Sequence, residues 1–163
     1  ETLIVDLQEQ LSIDPERVYA AGFSTGGMFG YALACFSNEP IAGVAAVSAT
    51  QLNLVDCAPS TTNVFIAHGT ADEVLPYYGS SDIASIDEVV SFWTSLNQTS
   101  TVAQESSYAF GKETVYLHTY TEGINNTQVM HYKVENGGHG WFDHEIEGQS
   151  FTSLLWGFLT SQQ

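Results

Sequence analysis

Residues 20–30 read AAGFSTGGMFG, and the reading of this stretch decides the fold. The apolar run RVYAAGF, residues 17–23, leads into it as a short buried strand, and residues 25–36 then carry Met28, Tyr31, Ala32 and Cys35 on one side of a helix. Between them Gly22-Phe23-Ser24-Thr25-Gly26 fits G-x-S-x-G. That spacing belongs to a sharp, strained turn from strand to helix, which pushes a serine hydroxyl into the open. Strand and helix approach closely there, so small residues are expected at 22 and 26. Thr25 opens the helix. Its backbone N–H has no partner inside the helix and points where an oxyanion would form, helped by the positive end of the helix dipole.

Outward from this turn, strands and helices alternate. Residues 2–11 carry Leu3, Ile4, Leu7 and Leu11 as a helical stripe, which SIDPE ends because Pro15 disfavours helix at Asp14. IAGVAAVSA (41–49) and NVFIAHG (63–69) are continuous apolar runs of the kind parallel sheets bury. Ser85 and Glu88 form a capping box ahead of Ile86, Val89, Val90, Trp93 and Leu96. TVYLHTYTE (114–122) and TQVMHYKVE (127–135) alternate and flank GINN, as a hairpin or two neighbouring strands. Phe151, Leu154, Leu155, Phe158 and Leu159 mark a last helix. The expected class is α/β, a mostly parallel sheet flanked by helices. With 163 residues the chain is expected to form one domain, 1–163.

Composition narrows the function. Arg17, Lys112 and Lys133 face 19 acidic residues, for a formal charge of -16. Nothing in such a chain neutralises phosphates, so no nucleic-acid and no anionic-membrane partner is expected. The acidity fits a secreted protein, or one working in a salty medium that screens its self-repulsion. No apolar run approaches the ~20 residues that span a bilayer. The chain opens on Glu1 without an initiator Met or a signal peptide, and so reads as a processed or truncated product. Cys35 and Cys57 show no metal-site spacing, and no metal or cofactor is expected. We read them as a disulfide rather than two buried thiols, worth about 3 kcal/mol in the chain-entropy view and pointing to a secreted or periplasmic location.

A serine nucleophile needs a base, and the base needs an orienting acid. His118 and His131 lie inside alternating strands, His68 ends a strand, and His144 sits in the acidic stretch DHEIE. His139 lies in NGGHGWF, a glycine-rich loop before the last helix, and is the candidate base. Asp72, just past the carboxyl end of the third strand, is the candidate acid. Glu73 is expected to point elsewhere, and Asp56, Asp82 and Asp87 to be solvated or capping residues. Ser24, Asp72 and His139 follow the chain order Ser, acid, His. Tyr77, Tyr78 and Trp141 flank these windows as candidate substrate-binding residues.

Three stretches together, IDPERVYAAGFSTGG, CAPSTTNVFIAHGTADEVLPY and GGHGWF ahead of a terminal helix, resemble the polyhydroxybutyrate depolymerase and feruloyl esterase group of α/β-hydrolases. The resemblance covers most of residues 12–159. It implies that Ser24 is the nucleophile, Asp72 the acid and His139 the base, with a small-molecule ester as substrate. Cysteines of this group fall near positions 35 and 57, which adds to the disulfide reading. Prolyl oligopeptidases, with similar Ser and Asp windows, are the nearest enzymatic rival.

Members of the group also carry a segment ahead of the elbow that supplies central strands and a glycine-rich loop with the second oxyanion N–H. This chain begins at the helix before the nucleophile strand, so it reads as a truncated α/β-hydrolase fold with RVYAAG at a sheet edge. An open edge invites pairing, here as a homodimer. Three readings are open: a compact working esterase, the carboxyl-terminal part of a larger enzyme, or a stable fold with little catalysis that serves as a binding module.

Overall fold

The computed structural model describes residues 2–52, 54, 57 and 61–161; the expectation for Asp56 lies outside them. Its main sheet has six strands: β1 (Tyr19–Phe23), β2 (Gly43–Val47), β3 (Asn63–Gly69), β4 (Gln104–Phe110), β5 (Glu113–Tyr120) and β6 (Val129–Glu135). The spatial order is β1-β2-β3-β6-β5-β4. β1, β2, β3 and β6 are parallel neighbours, and β5 and β4 add antiparallel strands. The helices are α1 (Thr2–Gln10), α2 (Thr25–Phe36), α3 (Ile86–Asn97) and α4 (Phe151–Thr160), and a two-stranded ribbon, β7 (Glu145–Ile146) with β8 (Gln149–Ser150), precedes α4.

The core lies in two layers, one on each face of the sheet, because side chains alternate along each strand. Val44, Ala46, Val64 and Ile66 face Tyr31, Ala34 and Cys35 of α2 and Val89, Val90 and Trp93 of α3. Ala45, Val47, Phe65 and Ala67 face Phe151, Leu155, Phe158 and Leu159 of α4. This is the mostly parallel, helix-flanked α/β-hydrolase arrangement. β2 and β3 are fully buried, as their unbroken apolar runs predict. α3 opens on the predicted capping box of Ser85 and Glu88. Cys35 and Cys57 are joined in a disulfide that ties the end of α2 to the segment beyond β2.

Several local readings need correction. β1 stands at the edge of the sheet formed by the described residues, as the resemblance implies, and is therefore half-buried rather than the buried strand its apolar run suggests. No residue of α1 is fully buried; of its stripe, Ile4 packs on the core while Leu3 and Leu11 are exposed. The inward face of α2 is turned from the predicted one: Gly27, Gly30, Tyr31, Ala34 and Cys35 are buried, and Met28 and Ala32 lie at its margin. Glycines let that face sit flush on β1 and β2, which apolar spacing alone does not register.

Candidate active site

The candidate residues Ser24 and Asp72 stand at the carboxyl ends of β1 and β3. β1 stops at Phe23, and Ser24 takes φ 52° and ψ −121° before α2 begins at Thr25. A side chain in that left-handed region costs of order 1–3 kcal/mol and persists only where its surroundings hold it. The Ser24 N–H donates to the Val47 carbonyl at 2.8 Å, which fixes the turn against β2. A Cβ on Gly22 would be driven into the backbone of Gly26 and Gly27, so glycine is obligatory there. Gly26 itself has open space around a Cβ, whereas one on Gly27 would meet the Ala49 side chain at 2.7 Å. The tight positions are therefore 22 and 27, not 22 and 26, because it is the second residue of α2 past Thr25 that rests on β2. Thr25 is the first residue of α2, and its N–H lies at the positive end of the helix.

Asp72 follows β3 by three residues, and its side chain is buried. One carboxylate oxygen, Oδ1, accepts the backbone N–H groups of Val74 and Leu75, both at 2.8 Å. The other, Oδ2, accepts His139 Nδ1–H at 2.8 Å. Burial pushes the carboxyl up. The N–H groups of Leu75 and Val74 and the His139 ring together outweigh that and hold it below the usual carboxylate range. His139 is carried by the loop after β6, which is pressed onto the end of β3. The Ala71 N–H donates to Gly137 O at 2.9 Å, and a Cβ on Gly69 would collide with that same carbonyl. On its far side, His139 Nε2 accepts the Ser24 hydroxyl at 3.1 Å. The three side chains thus form one hydrogen-bonded chain, drawn from segments 115 and 67 residues apart in sequence. An ionised carboxylate fixes the tautomer in which Nε2 is free to take a proton from an alcohol, which is what nucleophilic attack by serine requires.

Two contacts are not legible in the sequence: that of His68, expected only to end a strand, with Asp72, and that of Phe23 with His139. His68, buried at the end of β3, donates Nε2–H to the Leu75 carbonyl at 2.8 Å and lies 3.1 Å from Asp72 Oδ2. Burial lowers its proton affinity more than Leu75 and Asp72 raise it, so the ring stays neutral behind the carboxylate. Its spacing of four residues before Asp72 was the available signal. Phe23 lays its ring 4.9 Å from the His139 ring at a 50° tilt. Its place beside Ser24 was the only clue.

The candidate substrate residues separate. Tyr77 is 1% exposed, donates its hydroxyl to Asp87 Oδ1 at 2.8 Å and meets His131 Nε2 at 3.2 Å, so it is a core residue and lines no accessible surface. Tyr78 is 72% exposed and stands edge-on to Tyr77. Trp141 is 44% exposed, with Nε1–H donating to Thr152 Oγ1 at 3.1 Å. Glu73 points to solvent, as expected. His118 and His131 are paired across β5 and β6, and His144 is bound to Glu113 Oε2 at 2.8 Å. Among the described residues, no group of three or more His, Cys, Asp or Glu is arranged to hold a metal ion, and no helix is long and apolar enough to cross a membrane.

The sequence model of the phospholipase/carboxylesterase family matches residues 1–115. The chain is 38% identical over 76 residues to a bifunctional acetylxylan esterase/xylanase of Neocallimastix patriciarum, covering 46% of this chain and 11% of that protein. It is 34% identical over 77 residues to feruloyl esterase D of Neurospora crassa, covering 46% and 26%. It is 29% identical over 85 residues to a probable feruloyl esterase C of Aspergillus flavus, covering 52% and 32%. The matched stretches thus span no more than 32% of the length of these relatives.

Proposed function

The chain belongs to the phospholipase/carboxylesterase family, and on that premise we propose that it is a serine hydrolase of carboxylic esters. The observation that carries this reading is the hydrogen-bonded chain from Asp72 through His139 to Ser24 at the end of a strained strand. Ser24 Oγ attacks the ester carbonyl while His139 Nε2 takes its proton. Asp72 holds the imidazole and stabilises its positive charge. The Thr25 N–H receives the oxyanion. His139 then protonates the departing alcohol and leaves an acyl group on Ser24. Water attacks that acyl carbonyl, gives a proton to His139, and the acid leaves as Ser24 recovers its own proton.

The substrates are small or aryl esters. Phe23 offers a partly exposed aromatic face against His139, and the half-exposed Trp141 follows two residues along the same loop, which suits an aromatic or short acyl group. Esters of the feruloyl or acetyl kind fit the names of the relatives. The disulfide supports a secreted or otherwise extracytoplasmic protein. The test is hydrolysis of p-nitrophenyl esters of increasing acyl length. We expect the acetyl and butyryl esters to outrun the long chains, and Ser24→Ala to lower the rate by about 10⁴-fold or more. Full activity in Ser24→Ala would remove the assignment, and a clear preference for long acyl chains would contradict the substrate class.

A further inference from the structure

We propose that Ser48 is a positioning residue for His139. Ser48 ends β2 as Ser24 ends β1, is 0% exposed, and takes φ 47°. Its N–H donates to the Ala67 carbonyl at 2.8 Å, which seats it on β3. Its hydroxyl reaches 92 residues along the chain to the residue after His139. There it donates to the Gly140 carbonyl at 2.9 Å and accepts the Gly140 N–H at 3.2 Å. One side chain thus holds both backbone polar groups of a single residue, which fixes the loop in translation and in rotation. His139 is held by Asp72 at its ring and by Ser48 through the backbone just beyond it.

The elbow is referenced to the same place. The Ser24 N–H is bound by the carbonyl of Val47, the residue before Ser48. Residues 47 and 48 are therefore a common brace: one secures the strained serine, the other the histidine loop, and together they set the 3.1 Å separation of Ser24 Oγ and His139 Nε2. Glycines at 137, 138 and 140 give the loop little stiffness of its own, so the brace has to come from outside it. A shift of about 1 Å in such a pair is worth roughly 10²-fold in rate.

This inference rests on the roles proposed for Ser24 and His139. Its test uses Ser48→Gly, which accepts the positive φ, and Ser48→Ala, which does not; both delete the hydroxyl. We expect kcat on p-nitrophenyl acetate and the rate of inactivation by a fluorophosphonate each to fall by about 10–100-fold, with KM little changed. The downfield NMR signal of the His139 Nδ1 proton should broaden as that proton exchanges with solvent. In the unmodified protein the Gly140 amide should be protected from hydrogen exchange. Variants that melt cooperatively, react at the parent rate and keep a sharp His139 signal would overturn the proposal. So would a Gly140 amide that exchanges freely in the parent, a readout that stands even if neither variant folds. Failure of the parent protein to react at all would instead strike the proposed function, and Gly140 exchange would still report on the clamp.

Discussion

β1 and β2 lie side by side and end in the same backbone device, yet the two ends do different work. Each strand is followed by a serine of positive φ, 52° at Ser24 and 47° at Ser48. Each serine donates its N–H at 2.8 Å to a carbonyl of the next strand, Val47 for Ser24 and Ala67 for Ser48. The residues after each serine separate them. Thr25, Gly26 and Gly27 start a helix at once, and the Gly22 approach to its backbone turns the Ser24 hydroxyl outward to His139. Ser48 leads instead into Ala49, Thr50 and Gln51, all buried, and its hydroxyl is spent on the Gly140 backbone. A left-handed serine at a strand end is thus a way to leave a parallel sheet. Whether it can react depends on what the next three residues let the side chain face.

The largest effects should fall on the Ser24 side. Asp72→Asn keeps the shape but lets the amide favour the wrong His139 tautomer, and we expect steady-state ester hydrolysis to drop by about 10³–10⁴-fold. A loss under tenfold would mean that His139 is oriented by something other than this carboxylate. The Ser48 variants should sit at least an order of magnitude below that loss, and below the loss in Ser24→Ala, so the two strand ends separate in kinetics.

Stability should separate them with opposite sign. Ser24→Gly relieves left-handed strain and gives up one bond made for chemistry, so urea unfolding should show a gain of about 1 kcal/mol. Ser48→Gly relieves similar strain but leaves two Gly140 groups without their partner, and we expect a net loss of about 1 kcal/mol. Equal shifts in the two variants would show that strain, not hydrogen bonding, dominates at Ser48.

Last comes a pH dependence of stability, silent at neutral pH, shared by the buried histidines and Asp72. His131 is pushed down to about 3 by burial and by the nearby His118 and Lys133, and burial lowers His68 as well. The unfolded chain takes up those protons near the ordinary value of about 6.5. Between there and about 3 the unfolded state binds more protons, so stability falls as the pH falls, by roughly 1.4 kcal/mol per unit for His131. The depressed carboxyl of Asp72 adds stability above its unfolded value and loses it as pH falls through the folded one. Unfolding curves at pH 7, 5 and 4 should show this decline, with a shallower slope in His131→Gln. A flat profile from pH 7 to 4 would contradict the buried neutral state of His131.

Much of the fold was legible because its signals are local. The unbroken apolar runs of β2 and β3, the Ser85–Glu88 box and the spacing of Phe151, Leu154, Leu155, Phe158 and Leu159 each specify an element without help from the rest. β4 was missed because its sequence, QESSYAF, belongs to an exposed edge strand and lacks an apolar face strong enough to mark it. The apolar composition of β1 reads as a buried strand although it is half-buried; its edge position was legible only through the resemblance, not in its own residues. At the candidate site, Ser24, Asp72 and His139 could be named from a motif, a strand end and a glycine-rich loop. The contacts around them could not. Tyr77 and Tyr78 are adjacent in sequence, yet one is core and the other solvent-facing. His68 behind Asp72 left only its four-residue spacing as a signal, whereas Ser48 under Gly140 is set by how distant segments meet, and no local pattern encodes that.

The central claim is that Ser24 is activated by His139, and it is tested most directly by fluorophosphonate treatment followed by mass-spectrometric site mapping. We expect a single adduct, on Ser24, absent in Ser24→Ala and strongly slowed in Asp72→Asn. A folded protein that takes no label, or takes it at another serine while Ser24 stays unmodified, would contradict the claim.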